Sequence, residues 1–464
     1  MRRPLTILLC AAVIGLTGCQ GETALSQATG KGVVRGINAI STSPEIALLI
    51  EERLVTSVTF GTVSPGVQYD DLSYVFNFEV AIPRLVPDDP NDPNSPTSWV
   101  LQTERVASLP QAIVKDVEYT FVVSGALDAP AITVWERPRS EVSEGDANFE
   151  MQLGHASPAT GAFDAYILDP ATAPAVGNET GSLSFGEILP LTSLAAGDYV
   201  LTLTAVGDPG NVLYQSETLT IAGGNAMLFT IFDTDANING PALVQMANLT
   251  AGVVTQLPDI NSQGTVRFHH ATINLGAADI YADDPLTTPV WPDHVFREIT
   301  PDIDLPNGPL PITYTTAGNI GSILIDTDVG VSPGQRRYIL LIEDSTGNGE
   351  LVSYVPQLRS VETQARVAIA NTAQSNAIID VYILPSGEIL DDAIPLLNGL
   401  LIGVSPVNIP LLQGDYDLYI TADDNKVPLA GPIPISPNFG EVWQAIVYDN
   451  ALPDTVDVVL TPLP

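Results

Sequence analysis

Short runs in which apolar and polar residues alternate recur along the chain after residue 31. In LTLTA (201–205) and LYITA (418–422), every second residue is apolar, and Gly, Pro, Asn and Asp separate such runs from their neighbours. A period of two places successive side chains on opposite faces of a strand, so that one face packs on a core. The 38 prolines also interrupt any long helix. The pattern therefore predicts an all-β protein of short antiparallel strands.

One longer pattern occurs four times. Segments that begin at residues 34, 151, 266 and 367 align without gaps, with a polar residue in fifth place and, in three copies, Asp-x-Tyr nine residues later. The matched positions are Asn38, His155, His270 and Asn371, then Ala47, Asp164, Asp279 and Asp380, then Leu49, Tyr166, Tyr281 and Tyr382. Each copy ends on an apolar run with a short hairpin partner. We therefore expect four tandem immunoglobulin-like antiparallel β-sandwich domains, at 32–145, 146–262, 263–362 and 363–464.

One segment conflicts locally with this prediction. PEIALLIEERL (44–54) suggests a helix when it is taken alone, but it aligns with three strand-like segments of the other copies. The alignment favours a strand here.

The histidine and aspartate of the second repeat, His155 and Asp164, invite a catalytic interpretation, since the chain has only four histidines. Their counterparts do not keep that chemistry: Asn38 and Asn371 cannot act as general bases, and Ala47 lacks the acid. Histidine and asparagine share a compact side chain with a donor and an acceptor. The sequence therefore favours a structural role, in which this side chain ties a strand end to the following turn.

The first 19 residues have the form of an export signal. Two arginines are followed by an apolar run too short to span a bilayer, and residues 16–19 are Leu-Thr-Gly-Cys. This ending resembles the bacterial lipoprotein box, in which the cysteine is acylated after cleavage. It predicts a signal peptide at 1–18, a lipidated Cys19 and a flexible tether at 19–31. Gln20, in place of an aspartate, resembles the pattern of lipoproteins sent to the outer membrane.

Composition excludes several classes of function. The chain has 54 acidic and 17 basic residues and a net charge of −37, which disfavours nucleic acids and binding to anionic headgroups by charge. Solubility in a salty medium or binding of divalent cations would fit such a surface. Cys10 leaves with the signal peptide and Cys19 carries lipid, so the mature chain has no disulfide and no thiolate site.

The repeat resembles a bacterial family of domains of unknown function. The resemblance rests on the His/Asn-Ala-Ser-Pro-like opening, the later Asp-x-Tyr and the Leu-x-x-Gly-Asp-Tyr at 194–199 and 411–416. It is close in the second repeat, fair in the third and fourth, and weak in the first. The resemblance implies tandem immunoglobulin-like domains in secreted and lipid-anchored envelope proteins. It implies no catalytic residue.

A loop of the second repeat, DTDANING, is the candidate calcium site. Asp233, Asp235, Asn237 and Asn239 stand at alternate positions, and hard oxygen donors at that spacing can wrap a calcium ion. The glycine comes late and no glutamate closes the loop, so an ordinary turn is the alternative. No other cofactor is expected.

Three histidines and two tryptophans also bear on binding or chemistry. Adjacent His269 and His270 would face opposite sides of a strand, and His294, in a proline-flanked loop, is expected to be solvated. Trp99, in an acidic proline-rich insertion, and Trp291 are the candidate exposed aromatics. The sequence contains no catalytic motif that would nominate an active site.

These observations predict a non-enzymatic, lipid-anchored protein of the outer membrane, facing the periplasm or the exterior. Its four sandwiches would form a rod that serves surface binding or spacing. A carbohydrate- or protein-binding adhesin, assisted by calcium, is the first alternative, and a hydrolase of envelope polymers is the second. Expected partners are the membrane, through the lipid, and an envelope glycan or protein.

Overall fold

The computed structural model describes residues 28–87, 95, 97–283, 285–344, 346–450, 452 and 455–463. The predicted signal peptide, Cys19 and the tether up to residue 27 lie outside the described residues. The described residues are nearly all β, in sheets of four or five strands that pair mostly antiparallel, so the predicted all-β sandwich class is confirmed. Among these residues two short 3-10 helices are present, at Gln374–Asn376 and Leu390–Asp392.

The described residues of the first repeat, unit 1, form eight strands in two four-stranded sheets. The sheets have the orders β4-β1-β7-β8 and β3-β2-β5-β6, and the strands are β1 (Lys31–Asn38), β2 (Ile46–Ile50), β3 (Arg53–Val58), β4 (Val67–Asp70), β5 (Ser73–Pro87), β6 (Thr97–Ala112), β7 (Val117–Ala126) and β8 (Ala129–Pro138). Phe76 and Phe121 meet in the core between the sheets, 4.3 Å apart by ring centroids. The ambiguous segment at 44–54 forms β2 and the start of β3, as its alignment predicted.

Unit 2 has the same plan with two additional strands, β15 and β18. Its sheets have the orders β12-β9-β16-β17-β18 and β11-β10-β13-β14, with β15 paired to β13. The strands are β9 (Asn148–His155), β10 (Phe163–Leu168), β11 (Gly181–Leu183), β12 (Thr192–Ala195), β13 (Gly197–Ala205), β14 (Asp208–Gln215), β15 (Leu219–Ile221), β16 (Ala226–Phe232), β17 (Leu243–Asn248) and β18 (Val253–Leu257).

Units 3 and 4, as far as the structure describes them, each contain eight strands in two four-stranded sheets. In unit 3 the sheets are β22-β19-β25-β26 and β21-β20-β23-β24, and in unit 4 they are β30-β27-β33-β34 and β29-β28-β31-β32. Unit 3 consists of β19 (Gly264–His270), β20 (Ala278–Tyr281), β21 (Trp291–His294), β22 (Ile303–Leu305), β23 (Gly308–Thr316), β24 (Asn319–Val331), β25 (Arg336–Glu343) and β26 (Gly349–Tyr354). Unit 4 consists of β27 (Ala365–Asn371), β28 (Ile378–Pro385), β29 (Leu397–Leu401), β30 (Val407–Leu411), β31 (Tyr416–Ala422), β32 (Pro428–Ile435), β33 (Val442–Asp449) and β34 (Val456–Leu463).

All four units share one unusual pairing. The first strand of each unit runs parallel to the apolar strand near its end, in the pairs β1–β7, β9–β16, β19–β25 and β27–β33, and the other pairings are antiparallel. Each unit has its own apolar core between its two sheets. The repeated sequence pattern thus corresponds to a repeated topology.

The units also bury the outer faces of their first sheets against one another. Phe60 and Trp135 of unit 1 belong to one apolar cluster with Leu228 and Phe232 of unit 2. A second cluster joins unit 3 to unit 4, where Phe296 packs edge-on against Tyr448 at 5.6 Å. Burial of this apolar surface stabilises the pairs by the same hydrophobic effect that stabilises each core.

Unit 1 further contacts the segment between units 3 and 4, and unit 4 itself. Arg359 donates to the carbonyl oxygens of Ser41 at 2.9 Å and Ser43 at 2.8 Å. Trp99 of unit 1 meets Phe439 of unit 4 with ring centroids 5.0 Å apart. The first and last units of an extended rod could not touch in this way. The predicted rod is therefore wrong, because side chains of unit 4 and of the segment before it contact unit 1 directly.

Candidate functional site

The repeated His/Asn position ties the end of each first strand to the loop that follows. His155 Nε2 lies 3.2 Å from the carbonyl oxygen of Gly161, and its Nδ1 accepts from the N–H of Ser157 at 3.3 Å. In unit 3, His270 Nε2 lies 2.7 Å from the oxygen of Gly276. Burial lowers the pKa of both histidines, so both are neutral near pH 7.

The two asparagines make the same kind of contact with an amide. Asn371 donates to the carbonyl oxygen of Asn376 at 2.9 Å and accepts from the N–H of Ala373 at 3.1 Å. Asn38 donates to the oxygen of Pro44 at 3.1 Å and accepts from the N–H of Ile40 at 3.1 Å. This is the arrangement that the sequence suggested, with one donor and one acceptor bonded to the following loop.

The repeated aspartate holds a turn of the second sheet. In each of units 2, 3 and 4 one carboxylate oxygen of the aspartate accepts from the N–H of a residue with positive φ. That residue lies three positions after the residue that pairs with the aspartate on the neighbouring strand. These residues are Gly207 at 2.7 Å from Asp164, Gly318 at 2.8 Å from Asp279 and Asp424 at 3.1 Å from Asp380. The other oxygen accepts from Ser182, the N–H of Asp293 and the N–H of Gly399, respectively.

This role explains why unit 1 has alanine at the same place. Ala47 pairs with Glu79, and three residues beyond Glu79 the strand β5 continues as far as Pro87. No turn is present there for a carboxylate to hold. The departure of Ala47 from the repeat therefore follows from the long β5–β6 hairpin.

The tyrosines of the repeat serve the packing of the same sheets. Tyr166, Tyr281 and Tyr382 are buried on the face of the second sheet that lies away from the core, and the ammonium of Lys426 lies 4.5 Å from the ring of Tyr382. In the Leu-x-x-Gly-Asp-Tyr segments, Tyr199 donates to the oxygen of Ala195 at 2.8 Å and Tyr416 donates to that of Leu412 at 3.0 Å. His155 and Asp164 thus contact different backbone groups, and these contacts form no catalytic dyad.

A third repeated polar position escaped the sequence alignment. Asp449 accepts from the N–H groups of Gln374 and Ser375, at 2.8 and 2.9 Å, and so caps the loop after Asn371. Its counterparts are Asp233 in unit 2 and Glu343 in unit 3, each two residues past the parallel partner of the His/Asn position. Gly125 stands there in unit 1. The signal was present in the sequence as an acidic residue at the end of three of the four closing apolar runs.

This finding bears on the predicted calcium loop. Asp233 accepts from Ser157 and from the N–H of Ala159 at 2.9 Å, whereas Asp235 accepts from the N–H of Asn237 at 2.8 Å. The oxygen of Asn237 accepts from the N–H of Leu358, at 2.5 Å, in the segment between units 3 and 4. The amide of Asn239 donates to the oxygen of Gln263. Side-chain oxygens of Asp233, Asp235 and Asn237 therefore already accept from protein donors, and calcium binding stays a prediction.

His294 differs from its predicted environment. It is fully buried at the end of β21, 5.4 Å from the ring of His270, and not solvated. Burial, assisted by the neighbouring His270, lowers the pKa of His294 to about 4. On the other face of β19, burial lowers the pKa of His269 to about 3. The flanking proline suggested a loop, but the short strand β21 folds back onto β20.

Among the tryptophans, Trp99 lines a groove between units 1 and 4. The groove encloses about 470 Å³ and is lined by Trp99, Arg84 and Glu104 of unit 1 and by Phe439 of unit 4, among others. Trp291 is half-buried and donates to Glu298 at 3.1 Å. Trp443 lies within β33 and donates to Glu441 at 3.0 Å. Of the two candidate aromatics, only Trp99 lines this groove.

The described residues form neither a metal-binding group nor a membrane-spanning helix. In that part of the chain, no group of three or more His, Cys, Asp or Glu side chains is placed to hold a metal ion. Nor does any helix within the described ranges have the length and apolar character needed to cross a membrane.

Comparison with known proteins adds little. No protein-family model and no curated protein matches the chain. Among solved structures, the Bacillus anthracis TIE protein is similar at 10% sequence identity, over 91% of this chain and 69% of that one, with a TM-score of 0.16. A similarity this weak carries no argument about fold or function. The resemblance to a family of envelope domains stays a prediction.

Proposed function

We propose that this chain is a non-enzymatic, lipid-anchored protein of the bacterial cell envelope, in which four β-sandwich units form a scaffold for surface binding or spacing. The observation that carries the proposal is the Leu-Thr-Gly-Cys ending of an export signal at residues 16–19. Each buried methylene of an attached acyl chain contributes about 0.8 kcal/mol, so several chains on Cys19 make a stable anchor.

The packing of the units supports a compact scaffold rather than an extended stalk. Units 1 and 2 share one apolar cluster, and units 3 and 4 share another. The repeated polar residues, which could have formed a catalytic site, hold loops and turns instead. Under this proposal the tether lifts a broad body from the lipid surface.

Metabolic labelling with a palmitate analogue tests the anchor. The wild-type chain should take up label and partition into the membrane fraction, and Cys19→Ala should do neither. Cys10→Ala is the matched control, since Cys10 lies within the predicted signal peptide and the variant should keep the label. Equal labelling of Cys19→Ala and the wild type would overturn the anchor.

A second candidate function is that of an adhesin for a glycan or an envelope protein, and the Trp99 groove favours it. The groove joins two aromatic rings to the ion pair of Arg84 and Glu104, whose Nε and Oε1 atoms are 2.5 Å apart. An apolar platform beside charged groups suits a ligand with both apolar faces and hydrogen-bonding groups.

Arrays of envelope glycans and proteins, probed with the lipid-free chain, test this candidate. We expect binding that Trp99→Ala abolishes and that Trp291→Phe, the control in unit 3, retains. Calcium and chelator arms show whether the loop of Asp233 takes part. Binding that survives Trp99→Ala would exclude the groove as the site.

A further inference from the structure

A buried cluster of three charged side chains lies across the first sheet of unit 1. Arg35 on β1, Glu118 on β7 and Arg137 on β8 are each less than a tenth exposed. One oxygen of Glu118 accepts from both guanidiniums, from Nη1 of Arg35 at 2.6 Å and from Nε of Arg137 at 2.8 Å. Two positive charges therefore share one negative charge, and the cluster has a net charge of +1.

This positive charge has no second acid to balance it. Within the described ranges, Glu118 is the only carboxylate that forms an ion pair with either guanidinium. Nε of Arg35 and both Nη atoms of Arg137 are buried and have no hydrogen-bond partner in the described part of the chain. Buried charges and buried donors are normally paired, because desolvation is costly. The unmatched donors and the net charge both call for an anionic acceptor.

The space beside the cluster limits the size of that acceptor. Arg35 lines a cavity of about 20 Å³, and the other walls include Ser64 and Gly66 of unit 1 and Asn248 and Leu249 of unit 2. Such a volume accommodates about one water-sized particle. Phosphate, carboxylate ligands and sugars are therefore too large, whereas a halide ion fits.

We propose that the Arg35–Glu118–Arg137 cluster binds one chloride ion at the boundary between units 1 and 2. The ion neutralises the buried charge and accepts a hydrogen bond from the unpaired Nε–H of Arg35, the arginine that lines the cavity. Since the cavity has walls from both units, the ion strengthens their contact. This proposal is independent of the lipid anchor and of the Trp99 groove.

Thermal unfolding of the full chain in sodium chloride, bromide and gluconate at equal ionic strength tests the site. The melting temperature should be higher in chloride and in bromide than in gluconate, which is too large for the cavity. This difference in melting temperature should grow with salt concentration. Bromide should also give an anomalous diffraction peak beside Arg35. The same melting curve in all three salts would overturn the proposal. A peak without a stability difference would mark an adventitious ion only and would equally overturn it.

Two substitutions move the charge in opposite directions. Arg137→Gln leaves the neutral pair of Arg35 and Glu118, so the excess stabilisation by chloride should disappear. Glu118→Gln raises the charge of the cluster to +2 and should increase the excess stabilisation by chloride. Arg105→Gln is the matched control, because this arginine of unit 1 is more than a third exposed and pairs with Glu79 and Glu52. If the variants at Arg137 and Glu118 do not fold, the salt series on the wild-type chain and the bromide peak still show whether the cluster binds a halide ion.

Discussion

The contact between units 1 and 2 should depend strongly on Phe232. This side chain is fully buried in the cluster between the units and meets Phe60 of unit 1 edge-on, with ring centroids 6.1 Å apart. Its ring points away from the core of unit 2, which contains Phe229 from the same strand. Truncation of a buried phenylalanine to alanine costs about 3–5 kcal/mol. Phe232→Ala should therefore lower, by about 3 kcal/mol, the free energy that is needed for unit 1 to detach from unit 2 and unfold.

Hydrogen exchange read by mass spectrometry resolves the effect unit by unit. Phe232→Ala should speed exchange in peptides from β7 and β8 of unit 1 by about a hundredfold, since each 1.4 kcal/mol is a factor of ten. Phe229→Ala is the matched control, on the same strand but in the core of unit 2. It should speed exchange in unit 2 alone. Unit 2 stays folded when unit 1 unfolds by itself, so a weaker core of unit 2 does not make the unfolding of unit 1 easier.

The control also defines the result that would refute the reasoning. If Phe232→Ala leaves exchange in unit 1 at the wild-type rate while unit 2 is loosened, the cluster does not couple the two units. If both variants speed exchange in unit 1 equally, the two units open only together.

Three further predictions concern the repeated positions and the packing around them. Asp380→Ala leaves two turn N–H groups without their acceptor and should destabilise unit 4 by about 2 kcal/mol in urea unfolding, and a change under about 0.5 kcal/mol would contradict the turn-holding role. Gly154→Ala would place a methyl carbon 2.4 Å from the ring of Trp135, so we expect a loss of about 1–3 kcal/mol and a changed tryptophan emission spectrum, and an unchanged melting temperature would contradict this contact. The free energy of unfolding should also decrease as the pH is lowered. In the folded chain His269 and His294 have pKa values of about 3 and about 4 and stay neutral, whereas in the unfolded chain both imidazoles are protonated below about pH 6.5. Their contribution is therefore complete above pH 6.5 and is lost towards pH 4, on the order of 3 kcal/mol for His294 alone, and a His294→Phe variant with an undiminished pH dependence would contradict this origin.

The repeat pattern alone indicated the structural role of its polar residues. Asn38 in the place of His155 excluded a shared catalytic base, and both side chains do bond the following loop. The sequence could not show why Ala47 is tolerated. That explanation requires knowing that β5 continues past the position at which the other units turn.

Other side chains could not be placed from local patterns. His294 stands in the proline-flanked stretch VWPDHVF, so a solvated loop was the natural expectation, yet β21 folds onto β20 and buries the side chain. The pairing of Arg35 with Glu118 joins residues 83 positions apart in the chain. Contacts of this kind depend on strand order and register, which alternation alone does not specify.

By itself, the sequence determined the local properties of this protein: the strands, the fourfold repeat, the acidic surface and the predicted lipid signal. Each follows from residues close together in the chain, through side-chain alternation, turn chemistry or composition. Only the tertiary structure decided that the units pack in pairs and that unit 1 reaches unit 4. The outward side of a first sheet is apolar in either arrangement, and whether it meets water or another unit depends on how distant segments come together.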